Sequence, residues 1–94
     1  MNLSSFKESL SKNEPPLGLS IYLNALWYDA NGDWDKAHEL IQDIDNKDAS
    51  WIHAYLHRKE GDTGNAGYWH RRAGKKNSPL SLKEEWEEIV AALI

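Results

Sequence analysis

Two stretches of this sequence decide its fold, 25-ALWYDANGDWDKA-37 and 54-AYLHRKEGDTGNA-66. They share the pattern Ala-x6-Gly-Asp-x3-Ala, which occurs twice at an interval of 29 residues. In each copy the Gly suits the left-handed residue just past a helix end, and the following Asp suits the N-cap of the next helix. Because the connection is so short, the two helices must be antiparallel neighbours. The sequence therefore predicts two helical hairpins.

Apolar residues at helical spacing extend this prediction along the whole chain. Ser81 and Glu84 form a capping-box pattern at the start of the last helix. We predict an all-α protein in one domain, residues 1–94, with two stacked antiparallel hairpins (20–45 and 49–74) between a short N-terminal helix and a C-terminal capping helix (81–94). The predicted helices are 3–12, 16–31, 34–45, 49–60, 63–73 and 82–93.

Composition excludes several classes of site. The chain has no cysteine, so disulfides, thiolate metal sites and thiol nucleophiles are excluded. The N-terminal residues lack the basic start and apolar run of a signal peptide, and the longest apolar run, 89–94, is too short to cross a bilayer. We therefore expect a soluble cytoplasmic protein that does not bind membranes.

Charge is unevenly distributed along the chain. Residues 1–50 carry a net charge of −5, residues 51–83 carry +5, and residues 84–94 carry −4. One interpretation is that the acidic ends dock on the basic middle. The other is that the basic middle faces an anionic partner. The Glu run at 84–88 is interpreted as a solvated helix face. Its negative charges lie near the helix N-terminus, where they interact favourably with the helix dipole.

The hairpin pattern resembles the tetratricopeptide repeat. The first copy matches at small, aromatic and turn positions, the second matches less fully, and the 29-residue interval is shorter than the usual 34. Residues 51–76 are also similar to small bacterial and fungal proteins of unknown function. The tetratricopeptide resemblance implies binding of a protein or peptide in a groove formed by the first helix of each hairpin. The matching positions in the first copy are Ala25, Tyr28, Gly32, Asp33, Trp34, Ala37 and Ile44.

Histidines offer a second interpretation. His53 and His57 lie four residues apart on one helical face, with Glu60 three residues beyond and His70 on the paired helix. The full His-Glu-x-x-His signature is absent, because Ala54 follows His53. We therefore assign no metal and no cofactor. The alternative function is a metal- or small-ligand-binding protein, or an enzyme, that uses His53, His57 and His70.

Basic residues between 58 and 76 favour a protein or peptide partner with acidic character. Nucleic acid is a weaker candidate, because the chain is acidic overall. No catalytic motif is present, so we expect no enzymatic activity and assign no catalytic residue. A homodimer through the apolar stretch 89–94 is a further alternative. The main expectation is a non-catalytic interaction module whose partner-binding residues are Tyr28, His53, His57, Arg58, Glu60, His70, Arg71 and Arg72.

Overall fold

The computed structural model describes all residues, 1–94, and contains six α-helices and no strand. The all-α prediction is confirmed. The longest helix has 13 residues, and none of the six is long and apolar enough to cross a membrane. The helices are α1 Leu3–Ser9, α2 Ile21–Ala30, α3 Trp34–Ile41, α4 Lys47–Lys59, α5 Thr63–Arg72 and α6 Leu82–Leu93.

The repeated Gly-Asp pair builds the same turn twice. Gly32 and Gly61 have φ angles of 85° and 88°, as the sequence pattern predicts. The next residues, Asp33 and Asp62, each donate their backbone N–H to a carbonyl of the preceding helix at 2.9 Å. Their side chains then accept the N–H of the third residue of the following helix. Each turn therefore ends one helix and caps the next, which pairs α2 with α3 and α4 with α5.

The hydrophobic core lies where α6 covers both hairpins. Trp86 donates its indole N–H to the Leu26 carbonyl of α2 at 3.1 Å, and its ring packs on Phe6 of α1 at 5.8 Å between centroids. Ile89 and Val90 complete the buried face of α6. This placement confirms the capping role predicted for the last helix. It also buries two residues of the stretch proposed for dimerisation, so that Ile94 remains the exposed large apolar residue there.

Two predicted helix starts differ from the structure. The second helix begins at Ile21 and not at Pro16, because Gly18 has a φ of 84°, which no helix includes, and Ser20 provides the N-cap. The fourth helix is capped by Asn46, whose side chain accepts the N–H of Ala49 at 2.8 Å. The helix therefore starts at Lys47, before the predicted residue 49, and Asp48 and Ser50 lie inside it. The predicted third helix was also too long, because the chain leaves α3 after Ile41 to reach Asn46.

Ion pairs tie the acidic flanks to the basic middle of the chain. Lys59 Nζ lies 3.0 Å from Asp29 Oδ1, Arg72 Nη2 lies 2.8 Å from Asp45 Oδ1, and Arg58 Nη1 lies 3.0 Å from Glu85 Oε1. Each pair joins residues 51–83 to one of the two acidic segments. The first interpretation of the charge pattern, docking of the ends on the middle, is therefore confirmed for these three cations.

Candidate functional site

Three histidines meet where the two hairpins touch. His38 comes from α3, whereas His53 and His57 lie one turn apart on α4. The Nε2 atoms of His38 and His53 are 3.0 Å apart, and one ring nitrogen from each of the three residues lies within 4.8 Å of the others. We call these three residues the histidine seam. The seam joins the second helix of one hairpin to the first helix of the other.

Tryptophans fix the orientation of two of these rings. Trp34 stacks on His38 one helical turn away, with 4.9 Å between centroids and 8° between planes. The same Trp34 donates its indole N–H to the Leu56 carbonyl at 2.8 Å, which anchors it to α4. Trp69 of α5 stacks on His53 at 3.9 Å. The imidazoles are therefore held by packing before any ligand arrives.

Burial keeps two of the seam rings uncharged. Loss of solvent lowers the pKa of His38, and the nearby His57 lowers it further. For His53 the same cause, followed by the neighbouring His38 and His57, lowers the pKa to about 4. An uncharged imidazole has one free lone pair, so at neutral pH both rings can accept a hydrogen bond or bind a metal.

Acid is expected to destabilise the fold through His53. An unfolded histidine takes a proton below pH 6.5, whereas folded His53 resists protonation until about pH 4. The contribution of uncharged His53 to the free energy of unfolding is fully present above pH 6.5. It is lost as the pH falls from 6.5 to about 4, at up to about 1.4 kcal/mol per pH unit. Urea titrations from pH 7 to 4.5, with a chelator present, should show a smaller loss of unfolding free energy in His53→Gln than in the wild type. Equal pH slopes in the two proteins would contradict this assignment.

His57 is oriented by a carboxylate. Its Nδ1 lies 2.7 Å from Glu60 Oε1, which leaves Nε2 as the nitrogen available to other groups. Glu60 thus contacts the seam through His57, in the predicted neighbourhood of His53 and His57. Tyr28 lies in the last turn of α2, packed edge-on against Trp27 at 5.3 Å, and is not among the seam residues.

Arg58 and His70 belong to a buried network and not to the seam. His70, 2% exposed, places Nε2 2.9 Å from Glu85 Oε2, while Arg58 binds Glu85 Oε1 and the Leu80 carbonyl. Trp51 donates its indole N–H to the same carboxylate at 3.4 Å. The interpretation of Glu85 as a solvated acid was wrong, because its side chain is buried among these donors. Glu85 and the Leu80 carbonyl engage the Arg58 guanidinium, and the His70 ring, whose Nδ1 has no hydrogen-bond partner, is buried away from any partner protein.

The C-terminal half of α5 and the following loop carry an exposed cationic surface. Tyr68 is 45% exposed, and the Arg72 guanidinium lies 5.9 Å from its ring and 5.1 Å from that of Trp69. Because Trp69 also stacks on His53, this surface adjoins the seam. We call it the basic surface and define it by four exposed cations, Arg71, Arg72, Lys75 and Lys76.

His38 was not among the predicted site residues, and His70 lies elsewhere than predicted. The prediction placed His70 beside His53 and His57 because α5 follows α4, but His70 contacts Glu85 of α6. A signal for His38 was present, since Trp34 and His38 are one turn apart on α3, but nothing in the sequence indicated which helix of the first hairpin would contact α4.

Comparisons with known proteins return no match: no family model, no curated protein and no solved structure is similar to this chain. The tetratricopeptide resemblance therefore stays a prediction.

Proposed function

We propose that this chain is a non-catalytic interaction module that binds an acidic protein segment on the basic surface. The observation that carries the proposal is the exposed Arg72 guanidinium, 5.9 Å from the ring of the exposed Tyr68, in a six-residue segment (71–76) with four exposed cations, within a chain whose net charge is −4. Arginine forks bind carboxylates in pairs of parallel hydrogen bonds, and tyrosine adds apolar contact area beside them. The partner chemistry that fits is a run of Asp and Glu with an apolar neighbour.

Arg72 is well placed to exchange partners. Its present ion pair with Asp45 joins two exposed side chains, and such surface pairs contribute little to stability, about 0–1 kcal/mol. A partner carboxylate could replace Asp45 without unfolding anything. The aromatic rings of Tyr68 and Trp69 restrict the position of the guanidinium before a partner binds. Less side-chain conformational entropy is therefore lost on binding.

The predicted partner-binding set divides into three groups, with Tyr28 outside all of them. Arg71 and Arg72 lie on the basic surface, whereas His53, His57 and Glu60 lie at the seam. Arg58 and His70 stabilise the fold through Glu85 and are left out of the proposal. The groove implied by the repeat resemblance would use α2 and α4, so the proposed surface on α5 differs from it.

The test is binding of a fluorescently labelled decaglutamate peptide by anisotropy at two salt concentrations. We expect the double variant Arg71→Gln/Arg72→Gln to weaken binding by at least about tenfold, since two charge-assisted contacts are lost. Its melting temperature should stay close to that of the wild type, because the Arg72–Asp45 pair is exposed.

The matched control removes the same charge elsewhere. Lys12→Gln/Lys83→Gln takes two exposed cations from outside the basic surface. Retained peptide affinity in this control supports a local site. An equal loss in both double variants would mean that overall charge alone attracts the peptide, and the proposal would fail.

A further inference from the structure

We propose that the histidine seam binds one divalent transition-metal ion, with His38, His53 and His57 as its three protein ligands. The site is distinct from the basic surface and uses different residues. It takes two ligands from one face of α4 and the third from α3, so that a bound ion would join the two hairpins.

The separation of the donor atoms suits such an ion. A tetrahedral zinc site with Zn–N bonds of 2.0–2.1 Å places its nitrogens roughly 3.3 Å apart. In the seam, the Nε2 atoms of His38 and His53 are 3.0 Å apart, and all three donors lie within 4.8 Å of one another. To reach the coordination distance, the third nitrogen would have to approach by at most about 1.5 Å, through rotation of the His57 imidazole.

The protonation state also suits metal binding. Metal ions bind the neutral imidazole, and the 3.0 Å contact between the Nε2 atoms of His38 and His53 requires at least one of these atoms to carry a free lone pair. In the metal-free protein the two facing Nε2 atoms must share one proton, so one ring carries its hydrogen on Nε2 and the other on Nδ1. The ion would take the place of that shared proton, with both rings then in the Nδ1–H form.

Surrounding groups already orient the ligands. Glu60 holds Nδ1 of His57 at 2.7 Å, an arrangement in which a carboxylate fixes the tautomer of a metal-binding histidine. Trp34 and Trp69 hold the rings of His38 and His53 by stacking. These contacts reduce the ordering that metal binding must bring about, since the rings are oriented in advance.

The donor set defines the class of ion. Three imidazoles suit Zn²⁺, Co²⁺, Ni²⁺ and Cu²⁺, whereas Ca²⁺ and Mg²⁺ require oxygen ligands. Three protein ligands leave a fourth position, which water or a group from another molecule could occupy.

The test titrates chelator-stripped, full-length protein with Zn²⁺ by calorimetry and with Co²⁺ by visible absorption. We expect one ion per chain. We expect Glu60→Gln to weaken Zn²⁺ binding about 10–100-fold, as is usual for loss of a group that orients a ligand. Loss of a direct ligand, in His38→Gln or His53→Gln, should weaken binding by more than that. Absence of Zn²⁺ binding to the wild type, or wild-type affinity in His38→Gln, would overturn the proposal.

Two controls distinguish the seam from other sites. His70→Gln removes a histidine outside the seam and keeps a side-chain donor toward Glu85, and Glu39→Gln changes an exposed residue next to His38. Both should bind Zn²⁺ as the wild type does. A rival group, His57, Glu60 and Asp62, also has its donors within 4.8 Å. If Asp62→Asn abolishes binding while His38→Gln does not, the ion occupies that exposed group and the seam assignment is wrong.

Discussion

Glu85→Ala is expected to lower the free energy of unfolding by about 3–5 kcal/mol. The Glu85 side chain, 1% exposed, accepts hydrogen bonds from Trp51 and Arg58 of α4 and contacts His70 of α5. Removing one partner of a buried ion pair leaves the other charge without compensation, which is why this loss exceeds that of a surface pair. A native domain of this size is stable by only roughly 5–15 kcal/mol, so much of the stability depends on this carboxylate.

Urea denaturation of three variants tests this expectation. Glu85→Gln keeps the shape and one acceptor oxygen, so its loss should fall between those of Glu85→Ala and the wild type. Glu88→Ala, an exposed residue on the same helix, should stay within about 0.5 kcal/mol of the wild type. If Glu85→Ala is no more costly than Glu88→Ala, the network does not hold α6 on the second hairpin.

Local chemistry made most of the fold predictable. The last helix begins and ends where the capping box and apolar spacing place it, because Ser81 and Glu84 bind each other's backbone N–H groups as the pattern requires. The Gly-Asp turns were predictable for the same reason, since positive φ favours Gly. The start of α2 was not, because Pro16 suits a first helical turn equally well and only the left-handed Gly18 rules it out.

The site was less predictable because its contacts join distant helices. His53 and His57 share a face by spacing alone, but the third histidine depends on how one hairpin packs on the other. Glu85 shows the same limit. Its neighbours Glu84, Glu87 and Glu88 remain partly or fully exposed, and only the packing of α6 against α4 and α5 makes one acid of the run a core residue. Tertiary packing, which the local sequence pattern does not determine, decided both cases.

Trp86→Ala is expected to be as destabilising as the loss of Glu85, at about 3–5 kcal/mol. The side chain is 6% exposed and fills the space between α1, α2 and α6, against Phe6. Truncation leaves a cavity that the surrounding helices cannot close fully, and it removes the hydrogen bond to the Leu26 carbonyl. Because this residue holds α6 against α1 and α2, the variant should also expose its C-terminal helix to proteolysis.

Two further variants separate packing from hydrogen bonding. Trp86→Phe keeps much of the ring volume, so we expect it to lower the free energy of unfolding less than Trp86→Ala does. About 0.5–1.5 kcal/mol of the Trp86→Phe loss should come from the missing hydrogen bond. Trp69→Ala removes a half-buried ring and should cost less than Trp86→Ala. Its main effect should fall on the seam, where His53 loses the ring on which it stacks. If Trp69→Ala proves the more destabilising of the two, the core must be centred on the second hairpin and not under α6.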